Sequence, residues 1–258
     1  VVTAEILLFS IAGTLRLKSV GYIVDDLPKS DKIYTDLKFF EKNFKGVMPL
    51  EILVDTKKKY GVSRNLGNLL RIDSLSQYLG SMPEIARPLS IAEGLKFAKQ
   101  AFFEGDSNNY SMPSEFDLPA LAEYLSFKKD SGTAKNSFTR LVSSFMDTAR
   151  QEARISVSMA DVGSARLPEI LDSIRNRADK LFPKDSVRLT GTSITFLEGS
   201  SYIIHGLKES ILYAFVLITL CMLYLFRSVR ILLCSLIPNV IPLVITAGIM
   251  GWTGVPLK

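Results

Sequence analysis

A chain of 258 residues that is 47% hydrophobic and 22% charged, with a mean hydropathy of +0.21, suggests a soluble domain joined to membrane segments. Its formal net charge of +5 is modest and its lysines are scattered among acids, as in KSDKIYTDLKFFEKNFKG, so nucleic acid is excluded as a partner for want of an Arg/Lys stripe with interleaved aromatics. Both cysteines, Cys221 and Cys234, fall in apolar runs, which excludes a disulfide framework, and one histidine, His205, is too little for a histidine-based metal or triad site unless partners come from elsewhere.

Residues 1–15, VVTAEILLFSIAGTL, read as the outer end of a membrane helix cut mid-span. No basic n-region and no small-residue cleavage site support a signal peptide, so the chain is expected to be a piece of a larger membrane protein. Glu5 lies in this run. A membrane carboxylate is a functional suspect, but beside Thr3 near a helix end it simply reaches water.

Residues 16–205 are expected to form an extracytoplasmic domain. Pro28 and Ser30 punctuate a turn, Ser30 or Asp31 can cap a helix, and Ile33, Leu37, Phe40 and Phe44 recur at helical spacing. MPLEILVDT, ending at Asp55, is a strand, and a second helix covers about residues 64–80 with Leu66, Leu69, Leu70 and Leu75 on one side. Residues 81–133 read as a helical insertion: a proline-marked joint, an amphipathic helix through Ile91, Leu95, Ala98 and Phe102, a turn-rich loop, and a short helix through Leu121 and Leu125. Two strands follow, Phe138–Met146 and Arg154–Ala160; in the second, Ile155, Val157 and Met159 alternate with Ser156 and Ser158. Leu167, Ile170, Leu171, Ile174, Ala178 and Leu181 trace a helical face that Phe182-Pro183 stops. Val187 opens a last strand, and a helix after Gly191-Thr192 is expected to run into the membrane. The class is therefore α+β, and the order β-α-(insert)-β-β-α-β is the ferredoxin-like, split βαβ arrangement.

The remaining chain holds two uncharged runs, expected as membrane helices over 206–226 and 231–252. A bilayer core of about 30 Å needs roughly 20 apolar helical residues. The link Arg227-Ser228-Val229-Arg230 predicts an antiparallel helical pair. Its arginines place it in the cytoplasm by the positive-inside bias, with residues 16–205 on the periplasmic side of a multi-pass protein of the cell (inner) membrane.

Little here looks catalytic. No G-x-S-x-G, H-E-x-x-H, C-x-x-C or Walker A string occurs, so no enzyme, metal site or cofactor is expected. Asp25-Asp26 reads as a solvated pair, His205 as an interface marker, and Lys57-Lys58-Lys59 as a solvated loop with a phospholipid headgroup contact as the alternative. Pro238 and Pro242 lie four apart on one helix face with Asn239 beside them. Each proline removes a backbone hydrogen bond, so the three are candidates for a helix kink or hinge. Gly248, Gly251 and Gly254 follow and suit close helix packing.

SLIPNVIPLVITAGIMGWTGVPLK resembles the third helix of a half-unit of the resistance–nodulation–division (RND) superfamily, in its MMPL/Patched-like exporters. DDLPKSDKIYTDLKFFEKNFKGVMPLEILVDT is similar to the segment after the first helix in that group, and ARISVSMAD with the following LPEIL helix fits the second part of its porter domain. The resemblance implies secondary active transport driven by the proton gradient, commonly of lipids or other hydrophobic compounds. The implied partners are membrane lipids, a hydrophobic or lipid-like substrate, the remaining half of the same transporter, and a further copy in a homo-oligomer. In the family the proton-carrying acids lie in the next helix and this sequence ends at Lys258, so no residue here inherits that role; only Pro238, Asn239 and Pro242 are carried over, as shape-setting positions. Substrate-contacting residues stay unnamed. Two other classes remain open: a non-transporting lipid- or sterol-sensing membrane protein, and a protein-export accessory.

Overall fold

The computed structural model describes residues 2–17, 21–22, 27–117 and 144–255. It separates into two compact units, one of Val1–Asp25, Gly163–Arg166 and Phe196–Lys258, the other of Asp26–Val162 and Leu167–Thr195.

The larger unit is built on β1 (Met48–Asp55), the middle strand of a three-stranded antiparallel sheet. It pairs with β2 (Glu152–Met159) on one side and the shorter β3 (Ser186–Thr190) on the other. Period-two patterning sets the register. Met48, Leu50, Ile52 and Val54 stand opposite Met159, Val157, Ile155 and Ala153, and all eight are buried. Slipping one residue would turn this row into solvent. The other face is polar: Ser156 donates to Glu51 at 2.9 Å, Arg154 pairs with Glu51 at 3.4 Å, and Arg188 pairs with Glu152 at 3.0 Å. One face in the core and one in water is the ordinary state of an antiparallel sheet.

The first helix of this unit, here labelled α2 (Lys32–Phe44), starts where expected: the Asp31 carboxylate accepts from the Ile33 amide at 2.9 Å. It stops at Lys45, in the left-handed region, followed by Gly46 at φ 145°. A side chain at Gly46 would collide with the Met159 backbone, so only glycine lets the chain run this close to β2. The expected apolar face of α2 exists, yet Ile33, Phe40 and Phe44 are exposed and no residue of the helix is buried.

After β1 come the short α3 (Gly61–Arg64) and α4 (Leu66–Gly80), the latter capped by the Asn65 side chain. Leu69, Ile72, Leu75 and Leu79 are its core stripe; Leu70, expected beside them, is 45% exposed. α5 (Ile91–Phe102) buries Ile91, Ala92, Leu95 and Ala98. α6 (Gly163–Leu181) buries Leu167, Ile170, Leu171, Ile174 and Ala178, and the buried Phe182 ends it. Arg177 of α6 lies 5.5 Å from the Tyr78 ring of α4, so the two helices are neighbours.

The strand expected over 138–146 is not seen as one. Residues 138–143 lie outside the described residues, as does the helix expected through Leu121 and Leu125. Ser144 and Phe145 form a turn, and Met146 makes a single antiparallel bridge to Ala153. The outer edge of β2 is instead held by Ile85 and Leu89, bridged to Met159 and Ser156. The proline-marked joint is thus a strap along a sheet edge. Proline explains why it bonds only at intervals, since Pro88 has no N–H to give.

In the smaller unit, α1 (Val2–Thr14), α7 (Thr192–Phe226) and α8 (Val229–Thr253) are helices, and the last two are long and apolar enough to cross a bilayer. α7 runs unbroken from Thr192, as expected; Ser193 is its one buried residue. The expected antiparallel packing of α7 on α8 does not form. α8 packs on α1. Small residues make that contact. Gly248 meets Ser10, and Gly251 meets Gly13, with the backbones so close that a methyl group at either glycine would overlap the other helix. α7 carries small residues of its own at Gly206, Ser210 and Ala214, but nothing lies within 4 Å of Gly206, and most of its Leu, Ile, Phe and Tyr side chains are exposed. The residue order of these contacts shows that α1 and α8 run parallel.

Candidate functional site

In the larger unit a cavity of about 340 Å³ opens between the strap on β2 and α5. Its walls are largely hydrocarbon, from Leu89, Phe97 and Phe145, with Arg87, Glu93 and Tyr110 as polar groups. A pocket of this kind, mostly apolar with a few converging polar groups, is the usual form of a small-molecule site. Each wall has its own support. Leu89 is fixed by mutual backbone bonds with Ser156, each 2.8 Å, and Phe145 is buried where its carbonyl accepts from Arg154 at 2.9 Å. Phe97 projects from α5 and is 58% exposed.

A connected polar cluster backs this cavity. Glu93 is its hub. Arg87 donates to Glu93 Oε2 from Nη2 at 2.8 Å and from Nε at 3.2 Å, and Tyr110 Oη donates to the same oxygen at 2.6 Å while accepting from Arg87 at 2.5 Å. Glu93 Oε1 takes the Lys96 ammonium at 3.0 Å, and Lys96 also pairs with Asp73 of α4. Asp73 Oδ2 accepts from Gln77 at 2.8 Å, and Ser76 bonds Ser90 at 3.2 Å across the same seam. Burial pushes the Glu93 carboxyl up, but hydrogen bonds from Tyr110, Lys96 and Arg87 outweigh it and hold the group below its ordinary range. Burial likewise pushes Lys96 down, and bonds to Asp73 and Glu93 bring it above its ordinary value. Burial and the neighbouring Glu93 both push Tyr110 up. All three groups keep their neutral-pH charge state, so the cluster fixes the shape of the cavity and does not exchange protons there.

That gives a pH prediction. Glu93 is depressed when folded, so its contribution is present above the ordinary 4.5 and lost as pH falls through the folded value. Lys96 is raised when folded, so its contribution holds below 10.5 and is lost as pH rises above that. The melting temperature of the full chain in detergent should be level between these limits and fall on both sides. Glu93→Gln should flatten the acid-side fall; an unchanged acid limb would rule out Glu93 as its source.

The residues singled out from sequence are not brought together with this cavity. Pro238, Asn239 and Pro242 are exposed on α8, which stays helical through them. Asn239 donates its side-chain amide to the Ser235 carbonyl at 3.1 Å, and Thr246 donates to the Pro242 carbonyl at 2.8 Å. Lacking N–H groups, the two prolines leave the carbonyls of Cys234 and Pro238 without their helical donors. Glu5 is exposed in the first turn of α1, and exposed His205 makes a 3.0 Å ring-nitrogen contact with the Ser201 carbonyl. Asp25-Asp26 lies outside the described residues. Among the described residues no group of three or more His, Cys, Asp or Glu could hold a metal ion.

The cavity residues were not legible as a site in the sequence. Arg87, Glu93 and Tyr110 are spread over 24 positions with no fixed-spacing motif. The one available signal was Glu93, Lys96 and the apolar stripe of α5 lying on adjoining faces of a single amphipathic helix.

Set against known protein families, residues 121–255 match the model of the MMPL family. The match is 135 of the 258 residues, just over half the chain, and takes in β2, α6, β3 and both long apolar helices. A search of curated proteins finds no match.

Proposed function

This chain belongs to the MMPL family, and on that footing we propose that it is part of an RND-type secondary transporter that exports a lipid or another hydrophobic compound, driven by the proton-motive force. The observation that carries the reading is the family match spanning both apolar helices together with half of the larger unit. The cavity adds to it: hydrocarbon walls of Leu89, Phe97 and Phe145 suit an acyl or isoprenoid moiety, and the Arg87–Tyr110–Glu93 edge suits a neutral or zwitterionic polar end, because the cluster's charges already cancel.

In this reading residues 16–205 are the extracytoplasmic porter domain, with an insertion at about 81–133. The three described strands take the order and directions that the ferredoxin-like arrangement gives to its first, third and fourth strands. The edge where a second strand would pair with β2 is held by the Ile85 and Leu89 strap, with the Met146 bridge beyond it. The parallel run of α1 and α8 supports the topology, since both then leave the bilayer on the porter side and Arg227-Ser228 turns in the cytoplasm of the inner membrane. Pro238, Asn239 and Pro242 serve as the bending point of α8. The remaining half of the transporter, and a homo-oligomeric assembly, complete the pathway.

The test uses the full-length protein in proteoliposomes with an imposed proton gradient and a fluorescent long-chain lipid. The reading expects lipid movement that stops on adding a protonophore, and a cysteine at Ser228 labelled from the cytoplasmic face alone. Lipid binding without movement would overturn it in favour of a lipid-sensing protein. Labelling of Ser228→Cys from the outside would overturn the topology.

A further inference from the structure

We propose that the basic surface around Tyr60 is a docking site for an acidic segment of a protein partner. KKKYGVSR supplies most of it. The chain leaves β1 at Asp55 and turns through Lys57, Lys58 and Lys59, all exposed, to Tyr60 and Arg64. Arg150, from the loop before β2, closes the array. The guanidinium of Arg64 lies 4.9 Å from the Tyr60 ring centroid, the Lys59 ammonium 5.5 Å, and the Arg150 guanidinium 5.9 Å. A ring that gathers three cations holds them in place by its negative faces. Among the described residues no carboxylate pairs with Lys57, Lys58, Lys59 or Arg64. Asp55 accepts from the Lys57 amide at 2.8 Å and from the Gln151 side chain at 2.9 Å, and Asp147 accepts from the amides of Ala149, Gln151 and Glu152.

The array is rigidly mounted. Tyr60 N–H bonds Ala149 at 2.9 Å, Val62 N–H bonds Arg150 at 3.1 Å, and the Thr56 amide and hydroxyl both bond the Gln151 carbonyl. Lys57, Tyr60 and Arg150 all sit at positive φ, a conformation disfavoured for residues with a Cβ. A loop that served only for solubility would need none of this.

Three features select the partner. The amides of Tyr60, Gly61 and Val62 are spent within the two loops, so no nest of N–H groups is left for a lone phosphate. The cations fan out around a ring, which suits a row of carboxylates better than one compact anion. Val62 is buried and Tyr60 half-buried, so no apolar side chain stands out to enter a bilayer. The surface also lies at the opposite end of β1 from Pro49, whose carbonyl is bonded by Ser193 where the chain passes into α7.

The test is binding of a fluorescein-labelled twelve-residue Asp/Glu peptide to the full chain in zwitterionic nanodiscs. Saturable binding that weakens with salt is expected. Reversing Lys57, Lys58 and Lys59 to Glu should lower affinity by about tenfold or more, and Tyr60→Leu by about fivefold. Tyr60→Phe and the exposed charge reversal Lys42→Glu, on α2 at the opposite end of β1, should leave it unchanged. No binding, equal binding by Tyr60→Leu, or equal loss with Lys42→Glu would each overturn the proposal. Preference for vesicles rich in phosphatidylserine over the peptide would also overturn it and reassign the surface to a bilayer.

Discussion

Lys96→Met should lower the stability of the full chain by about 3–5 kcal/mol. The lysine is 8% exposed and its ammonium is shared between Asp73, 6% exposed, and Glu93. Removing it leaves two carboxylates facing each other in a seam with little water. Glu93 keeps Arg87 and Tyr110, but Asp73 is left with Gln77, which donates to its second oxygen. The cost is that of an orphaned buried charge, not of a lost attraction, and this distinction can be tested. A double variant, Lys96→Met with Asp73→Leu, removes the charge as well as its partner and should recover most of the loss. Denaturant unfolding followed by far-UV circular dichroism in detergent reads both. A single-variant loss below about 1 kcal/mol would show that water reaches this seam freely. Because the bridge joins α4 to α5, the same variant should also loosen the cavity that α5 walls.

Regular elements announced themselves wherever one periodicity dominated. β1 is a compact apolar run, β2 alternates apolar and polar residues without interruption, and α6 repeats its apolar residues at helical spacing to Phe182-Pro183, so both strands and the end of α6 were readable to within a residue or two. Pairing was harder. The sequence shows that Leu89 is apolar, but not that Pro88 and its neighbours strap the edge of β2, because the strap's two bridges depend on a partner 67 and 74 positions away. The same limit governed the apolar helices. Length and lack of charge marked α7 and α8, whereas their partners were decided by shape: a short link suggested α7 against α8, and Ser10 with Gly13 offered α8 a closer fit. The face of α2 illustrates the remaining gap, since periodicity identifies Ile33, Phe40 and Phe44 as a stripe without saying what meets it. The cavity was least legible of all, being assembled from the strap, α5, Tyr110 and Phe145, four segments with no common motif.

Gly251→Leu should part α8 from α1, and the protein carries its own reporter of that event. Its single tryptophan, Trp252, is stacked on Phe9 with ring centroids 4.6 Å apart, donates its indole N–H to the Phe9 carbonyl at 3.0 Å, and carries the Arg16 guanidinium 4.4 Å from its ring. This joint exists only because the helices approach through Gly13, Gly248 and Gly251, where even a Cβ has no room. Backbone cannot yield as a flexible side chain can, so a leucine must push the whole helix outward. Overpacking of this sort costs about 1–3 kcal/mol, or more where backbone has to move. In a bilayer the loss is not recovered by apolar burial elsewhere, since lipid offers the leucine the same surroundings when the helices are apart. The indole would lose both the stack and its acceptor, and its emission should move to longer wavelength as it meets the hydrated interface. Gly206→Leu, on the open side of α7 where nothing lies within 4 Å, should leave the emission where it was. If Gly251→Leu does the same, the close pairing of α1 and α8 is wrong, and with it the support that their parallel run lends to a porter domain on the side where both helices end.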